Sequence, residues 1–191
     1  NNYRSKYPYT ELHLTIKRRL LYLAFGIITF LISYYWGSSI YMSGSEVNDL
    51  KNRFMDQIKD IDQTGIFINN AKIGLGMFVP LLGVGLGIFS GFSTGMVFNA
   101  IAATSANLND ISPLLILVTP FGLMEIVAYG LAISRSGMLF YSLLKRKYWR
   151  EYLLSTLVEI GVVVILLLSG AIIEWEMIAR LNGLSDTRIS I

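Results

Sequence analysis

Residues 66–99, IFINNAKIGLGMFVPLLGVGLGIFSGFSTGMVFN, carry glycines at steps of four: Gly83, Gly87, Gly91 and Gly95. On a helix these form one slowly rotating groove, about 18 Å long at ~1.5 Å per residue. In water such a helix would be poor, because each interior glycine costs about 1 kcal/mol relative to alanine. In lipid, where backbone groups must pair within their own segment, a strip of small residues lets a second helix approach to van der Waals contact. The strip therefore predicts helix packing inside one polytopic membrane chain, ahead of a homodimer face or a substrate path.

Composition points the same way. The chain of 191 residues is 53% hydrophobic and 15% charged, with a mean hydropathy of +0.54, which places it among multi-span membrane proteins with one membrane domain. Its 17 Gly against 4 Pro belong to helix packing and not to a flexible linker. Without cysteine it has no disulfide, thiolate nucleophile or thiolate metal site. The net charge of +3 is small and clustered, so it reads as membrane topology. No nucleic-acid motif is present, and the expected partners are the lipid bilayer and other membrane proteins, in a hetero-complex or a homo-oligomer.

Residues 1–19 hold Arg4, Lys6, Lys17, Arg18 and Arg19, with Leu12, Ile16 and Leu20 on one helical face. This pattern predicts a cytoplasmic interfacial segment leading into a first span at about 20–41. Tyr34, Tyr35, Trp36 and Tyr41 at its far end suit the headgroup level. In residues 43–64, Val47, Leu50, Phe54, Ile58 and Ile61 recur at steps of three and four, the mark of an amphipathic helix. Its charges show no basic excess, so it is placed outside. The next basic segment, Lys145-Arg146-Lys147-Tyr148-Trp149-Arg150, should be cytoplasmic again. That requires an odd number of crossings between 64 and 145, divided as about 71–92, 94–109 and 113–143. The short, polar middle one, with Asn99, Ser105, Asn107 and Asn109, is either a crossing or a re-entrant segment covered by protein. A last span at about 153–174 and an external tail, 176–191, complete the expectation. The fold is thus all-α: a polytopic helical membrane domain over 20–175, about five transmembrane helices plus an external amphipathic helix, with the N-terminus cytoplasmic, the C-terminus outside and the plasma membrane as its location.

Chemistry-bearing groups are few. His13 is the only histidine, so a zinc or copper site built by this chain alone is not expected. Gly83-Val84-Gly85-Leu86-Gly87 lacks the strand, Lys and Ser/Thr context of a phosphate loop, and no nucleophile elbow is present. No enzyme activity, cofactor or metal is predicted. The informative groups are the intramembrane charges Glu125, Arg135 and Glu159. Arg135 lies nine residues before Leu144 and Glu159 nine after Arg150, so both sit about 13 Å deep on adjacent antiparallel helices. A structural ion pair is the expectation; a proton or ion relay is the sharper alternative. Glu125 follows Thr119-Pro120-Phe121-Gly122, where an acidic group meets the positive end of a helix dipole. Its functional alternative is a polar funnel formed with Asn69, Asn70 and Asn99.

These features resemble the stage II sporulation protein M family of integral membrane proteins. The matching residues are Asn69-Asn70 before the glycine-rich span, Phe98-Asn99, and Thr119-Pro120-Phe121-Gly122-Leu123-Met124-Glu125 followed by Ser134-Arg135-Ser136-Gly137. They cover about residues 66–173. The chain departs at Phe121, where the family often has His, and at Ala100, where it often has Gly. The resemblance implies a helical scaffold: in spore formers the founding member joins a septal and engulfment complex that holds cell-wall hydrolases at the membrane. A non-catalytic membrane scaffold or accessory subunit is therefore the expected function. The alternatives are a small permease or ion-coupled transporter, and an accessory helical subunit of a membrane metalloenzyme whose ligands lie on other chains.

Overall fold

The computed structural model describes the backbone of residues 8–59, 61–104, 112–145 and 150–189, and side chains over 16–57, 59, 61–104, 112–145 and 152–180. The described residues are helical, in the order α1 (Pro8–Ser38), α2 (Gly44–Ile58), α3 (Gln63–Gly76), α4 (Leu82–Thr104), a 3-10 segment (Pro113–Val118), α5 (Pro120–Leu144) and α6 (Arg150–Ile189). Among the described residues four stretches are long and apolar enough to cross a membrane: Ile16–Ser38, Leu82–Thr104, Pro120–Leu144 and Tyr152–Arg180.

The contacts fix the directions of these helices. Gly91 of α4 meets Phe30 and Ser33, Gly95 meets Tyr34 and Ser38, and the Asn99 amide donates to the Ile40 carbonyl at 2.9 Å, so α4 runs parallel to α1. α5 runs against both, since Gly130 meets Gly26 and the Tyr34 hydroxyl donates to Pro113 O at 2.7 Å. α6 returns beside α5, with Gly170 near Phe121 and Met124. The descent from α1 to the start of α4 is made by α3. At 14 residues it is only about 21 Å long, short of a ~30 Å hydrocarbon core. Five helices thus form the bundle although four have spanning length, and α1 and α6 point the same way.

The reversal between α3 and α4 falls at residues 77–81 and not near 93, as the expected division placed it. Pro80 cannot donate to a helix, and Leu81 takes a φ of 66°, a left-handed conformation unusual for a bulky residue. The Ser136 hydroxyl of α5 holds this turn by donating to Val79 O at 2.7 Å, while Met77 and Phe78 are buried beneath it. Residues 94–104 consequently belong to the same helix as the glycine strip, and Ser105, Asn107 and Asn109 lie outside the described residues. α6 continues helically to Ile189, into the stretch expected to form a tail.

All four strip glycines are buried and each meets another segment of the same chain. A Cβ at Gly95 would overlap Tyr34 O, one at Gly87 the Ile133 side chain, and one at Gly83 both Met77 O and Ser136 Oγ. The strip is where α1, α5 and the 77–81 turn close onto α4. Tyr34 departs from the expected headgroup belt: it is 0% exposed, whereas Tyr35, Trp36 and Tyr41 remain on the surface. α2 starts at a capping box in which Ser43 is N-cap and Glu46 closes back on it. Val47 is buried, and the helix packs on α4.

Candidate functional site

Two polar clusters are built into the bundle, one at the end where α1 enters and one at the end covered by α2. The first contains Arg135 and Glu159, placed by adjacent antiparallel helices. Arg135 Nε and Nη2 donate to Glu159 Oε2 and Oε1 at 2.7 and 2.5 Å. Arg19, from α1, donates to the same carboxylate through Nε and Nη2 at 2.6 and 2.7 Å. Two forks thus close on one carboxylate, each in the paired geometry that suits guanidinium and carboxylate best. Arg19 also donates to Ser134 Oγ at 2.8 Å, and Arg135 is 3% exposed. The family-like run Ser134-Arg135-Ser136 therefore has a definite task at each position: Ser134 receives Arg19, Arg135 takes Glu159, and Ser136 pins the α3–α4 turn. A Cβ at Gly137 would meet open space. Arg19 stands just before the first apolar run, which makes it look like an ordinary interfacial cation, and counting depth along the spans does not join it to Arg135 and Glu159.

The second cluster surrounds a cavity of ≈180 Å³ to which every helix contributes. Glu125 lies past the first turn of α5, too far along to meet the positive helix end as expected, since that field falls off within the first turn. Thr119 is the N-cap instead, accepting from Gly122 N at 3.1 Å, with Pro120 at the first helical positions. At Gly122 any Cβ would overlap Ile116 O, so Thr119-Pro120-Phe121-Gly122 is the joint between the 3-10 segment and α5. The Glu125 carboxylate accepts from the Asn70 amide at 2.5 Å, and Asn69 lines the same space. Asn99 does not reach it, being spent on Ile40 O. Two groups unmarked in the sequence complete the wall, Glu174 of α6 and Tyr129 of α5. Glu174 is adjacent to Trp175 and Glu176 at the end of a span, where acidic residues are ordinary, and no sequence signal singles it out.

Among the described residues no group of three or more His, Cys, Asp or Glu comes together, and the His13 side chain lies outside them. Chemically, the first cluster is closed, with each carboxylate oxygen engaged by both arginines. The second keeps oxygen acceptors facing an open space.

The fold and these buried charges define a polytopic helical membrane protein. The family model for Stage II sporulation protein M matches residues 20–175, and the chain belongs to that family. No curated protein and no solved structure gives a match.

Proposed function

We propose that the chain is a non-catalytic scaffold or accessory subunit of a plasma-membrane protein complex, with the start of α1 facing the cytoplasm and the end of α6 facing outward. The observation that carries this reading is α2. It is capped by Ser43 and Glu46, seated on α4 through Val47, and exposes Asp49, Lys51 neighbours such as Asn52, Arg53 and Asp56 to solvent. A short amphipathic helix fixed to the bundle with a mixed-charge face presents a defined surface to a partner outside the lipid. Family membership supports the same role. The orientation follows from charge: Lys17, Arg18 and Arg19 begin the span of α1, and Lys145 ends α5 at the same end of the bundle. Excess Lys and Arg mark the cytoplasmic side.

Two measurements test the proposal. Reporter fusions at Ser45 and Lys147 should report opposite sides, Ser45 external; a cytoplasmic Ser45 overturns the orientation. The tagged chain extracted in mild detergent should migrate well above its own mass with defined membrane partners, which are lost on reversing charge in α2 with Arg53→Glu and Asp56→Lys. Migration as the bare chain from its native membrane would overturn the scaffold role. A second reading, a small permease, is favoured by the cavity around Glu125, and solute flux in liposomes that stops with Glu125→Gln would support it.

A further inference from the structure

The cavity at the α2 end has a composition that selects an occupant. Glu125 and Glu174 face it, with Asn69 and Asn70 beside them. Among the described residues Glu125 receives a hydrogen bond from a neutral amide alone, and neither glutamate forms an ion pair there. An ionisable group inside a span is costly and faces a partner or a cavity; here it faces a cavity whose wall, among the described residues, holds no Lys or Arg.

Two hydroxyls add an independent observation. Elsewhere in the bundle Thr29, Ser33, Thr104 and Thr156 return their hydroxyls to a backbone carbonyl one turn earlier, the usual way for such groups to be satisfied in a membrane helix. Ser90 and Thr94, one turn apart on α4, both line the cavity and make no hydrogen bond within the described residues. The remaining wall is apolar, part aliphatic and part aromatic, the rings being Phe30, Tyr34, Phe54, Phe98 and Tyr129, with the Phe30 and Tyr129 rings 5.4 Å apart. Carboxylates with uncommitted hydroxyls call for a cation that donates hydrogen bonds, and aromatic faces attract an organic ammonium. The space is enough for a few heavy atoms, well beyond the ~10–15 Å³ that one water needs.

We propose that this cavity is a binding site for a small primary ammonium ion, with Glu125 and Glu174 supplying charge, Ser90, Thr94 and Asn69 accepting its hydrogens, and the rings enclosing its carbon. The site does not depend on the scaffold role, because it lies within the bundle and apart from the exposed face of α2.

The probe is methylammonium chloride, added to the purified full chain in lipid nanodiscs and compared at equal ionic strength with sodium chloride and tetramethylammonium chloride. Methylammonium should raise the unfolding midpoint saturably, as a ligand of the native state must, and the two reference salts should not. Glu125→Gln and Glu174→Gln should each weaken the apparent affinity at least about tenfold, equivalent to about 1.4 kcal/mol. Glu176→Gln, exposed and outside the cavity wall, should behave as the unaltered chain. Thr94→Val, nearly isosteric and uncharged, should weaken binding several-fold, and it decides the matter if the glutamate variants elute as aggregates. No saturable effect, an equal response to sodium or tetramethylammonium, or affinity unaffected by Glu125→Gln and Thr94→Val would each overturn the proposal.

Discussion

The two polar clusters place the same residue type, glutamate, on membrane helices, and the bundle treats them in opposite ways. Glu159 is gripped by two guanidinium forks at 2.5–2.7 Å; Glu125 receives one neutral amide and looks into open space. Arginines at both flanks make the first cluster a lock between α1, α5 and α6, with a net charge of +1 if all three groups are ionised. The second sits where five helices and α2 leave a gap; apart from the Asn70–Glu125 bond between α3 and α5, its polar groups face that gap rather than another helix. A buried charge is thus evidence of structure where its bonds are saturated and of a ligand where they are not. Identical substitutions at the two sites separate these roles.

The largest effect is expected from Glu159→Gln, which strands two arginines around a neutral group. Breaking a buried ion pair from one side costs about 3–5 kcal/mol, and this change should reach the upper part of that range. Arg135→Met should cost less, because Arg19 still neutralises Glu159. The double variant should recover part of the loss but not all, since Arg19 then lacks its carboxylate. Thermal unfolding in detergent measures all three. Strict additivity, or a greater loss from Arg135→Met than from Glu159→Gln, would dismantle the description of this cluster as a shared lock.

The wall between the clusters comes next. Gly87→Leu and Gly91→Leu insert a branched side chain against Ile133 and against Phe30 and Ser33, and overpacking of this kind costs about 1–3 kcal/mol. Gly85→Leu on the same helix meets open space and should be close to neutral, as should Leu86→Ala at its partly exposed position. Comparable detergent stability for Gly87→Leu and Gly85→Leu would mean that the strip does not hold α4 against its neighbours.

Smaller still is the effect of Glu125→Gln on stability. Glutamine keeps an acceptor for Asn70 and removes a charge that lacks a partner, so the unfolding midpoint measured without added amine should hold or rise, within about 1 kcal/mol. A loss as large as that of Glu159→Gln would show that Glu125 is itself held by a charged partner, and the contrast between the clusters would collapse.

How much of this could be read beforehand depended on whether lipid leaves a pattern in the residues. The long apolar helices were legible because spanning length and backbone satisfaction constrain every residue in them. Arg135 and Glu159 were legible as a pair because the basic hairpin supplied a common depth from which to count. The end of α3 was not, since residues 71–104 are apolar on both sides of the turn and a buried reversal needs no polar punctuation; Pro80 was the available signal. Tyr34 shares its sequence neighbourhood with the belt residues Tyr35 and Trp36, but one helix position rotates a ring from lipid into the core. Glu174 and Arg19 were hidden by lying at span ends, where charge is unremarkable.

The last expectation concerns the element that covers the cavity. Glu46 accepts the Ser43 backbone N–H at 2.8 Å and its hydroxyl at 2.7 Å, and these bonds, the backbone one first, hold its carboxyl below the ordinary 4.5. A depressed carboxylate contributes stability that is complete above the ordinary value and is lost as pH falls through the lower folded value. Acidification below about 4.5 should therefore begin to fray the start of α2 and leave the helices of the arginine lock in place. Because the chain has no cysteine, a spin label at Asn48→Cys, exposed on α2, can be compared with one at Ser155→Cys on α6. Label mobility should rise with acid at the first position only, and Ser43→Ala, which removes the hydroxyl from the box, should make that position more mobile already at neutral pH. Equal acid responses at both labels would mean that acid loosens the whole bundle, and no response at Asn48 would mean that Phe54 and its packing, not the capping box, keep α2 over the cavity.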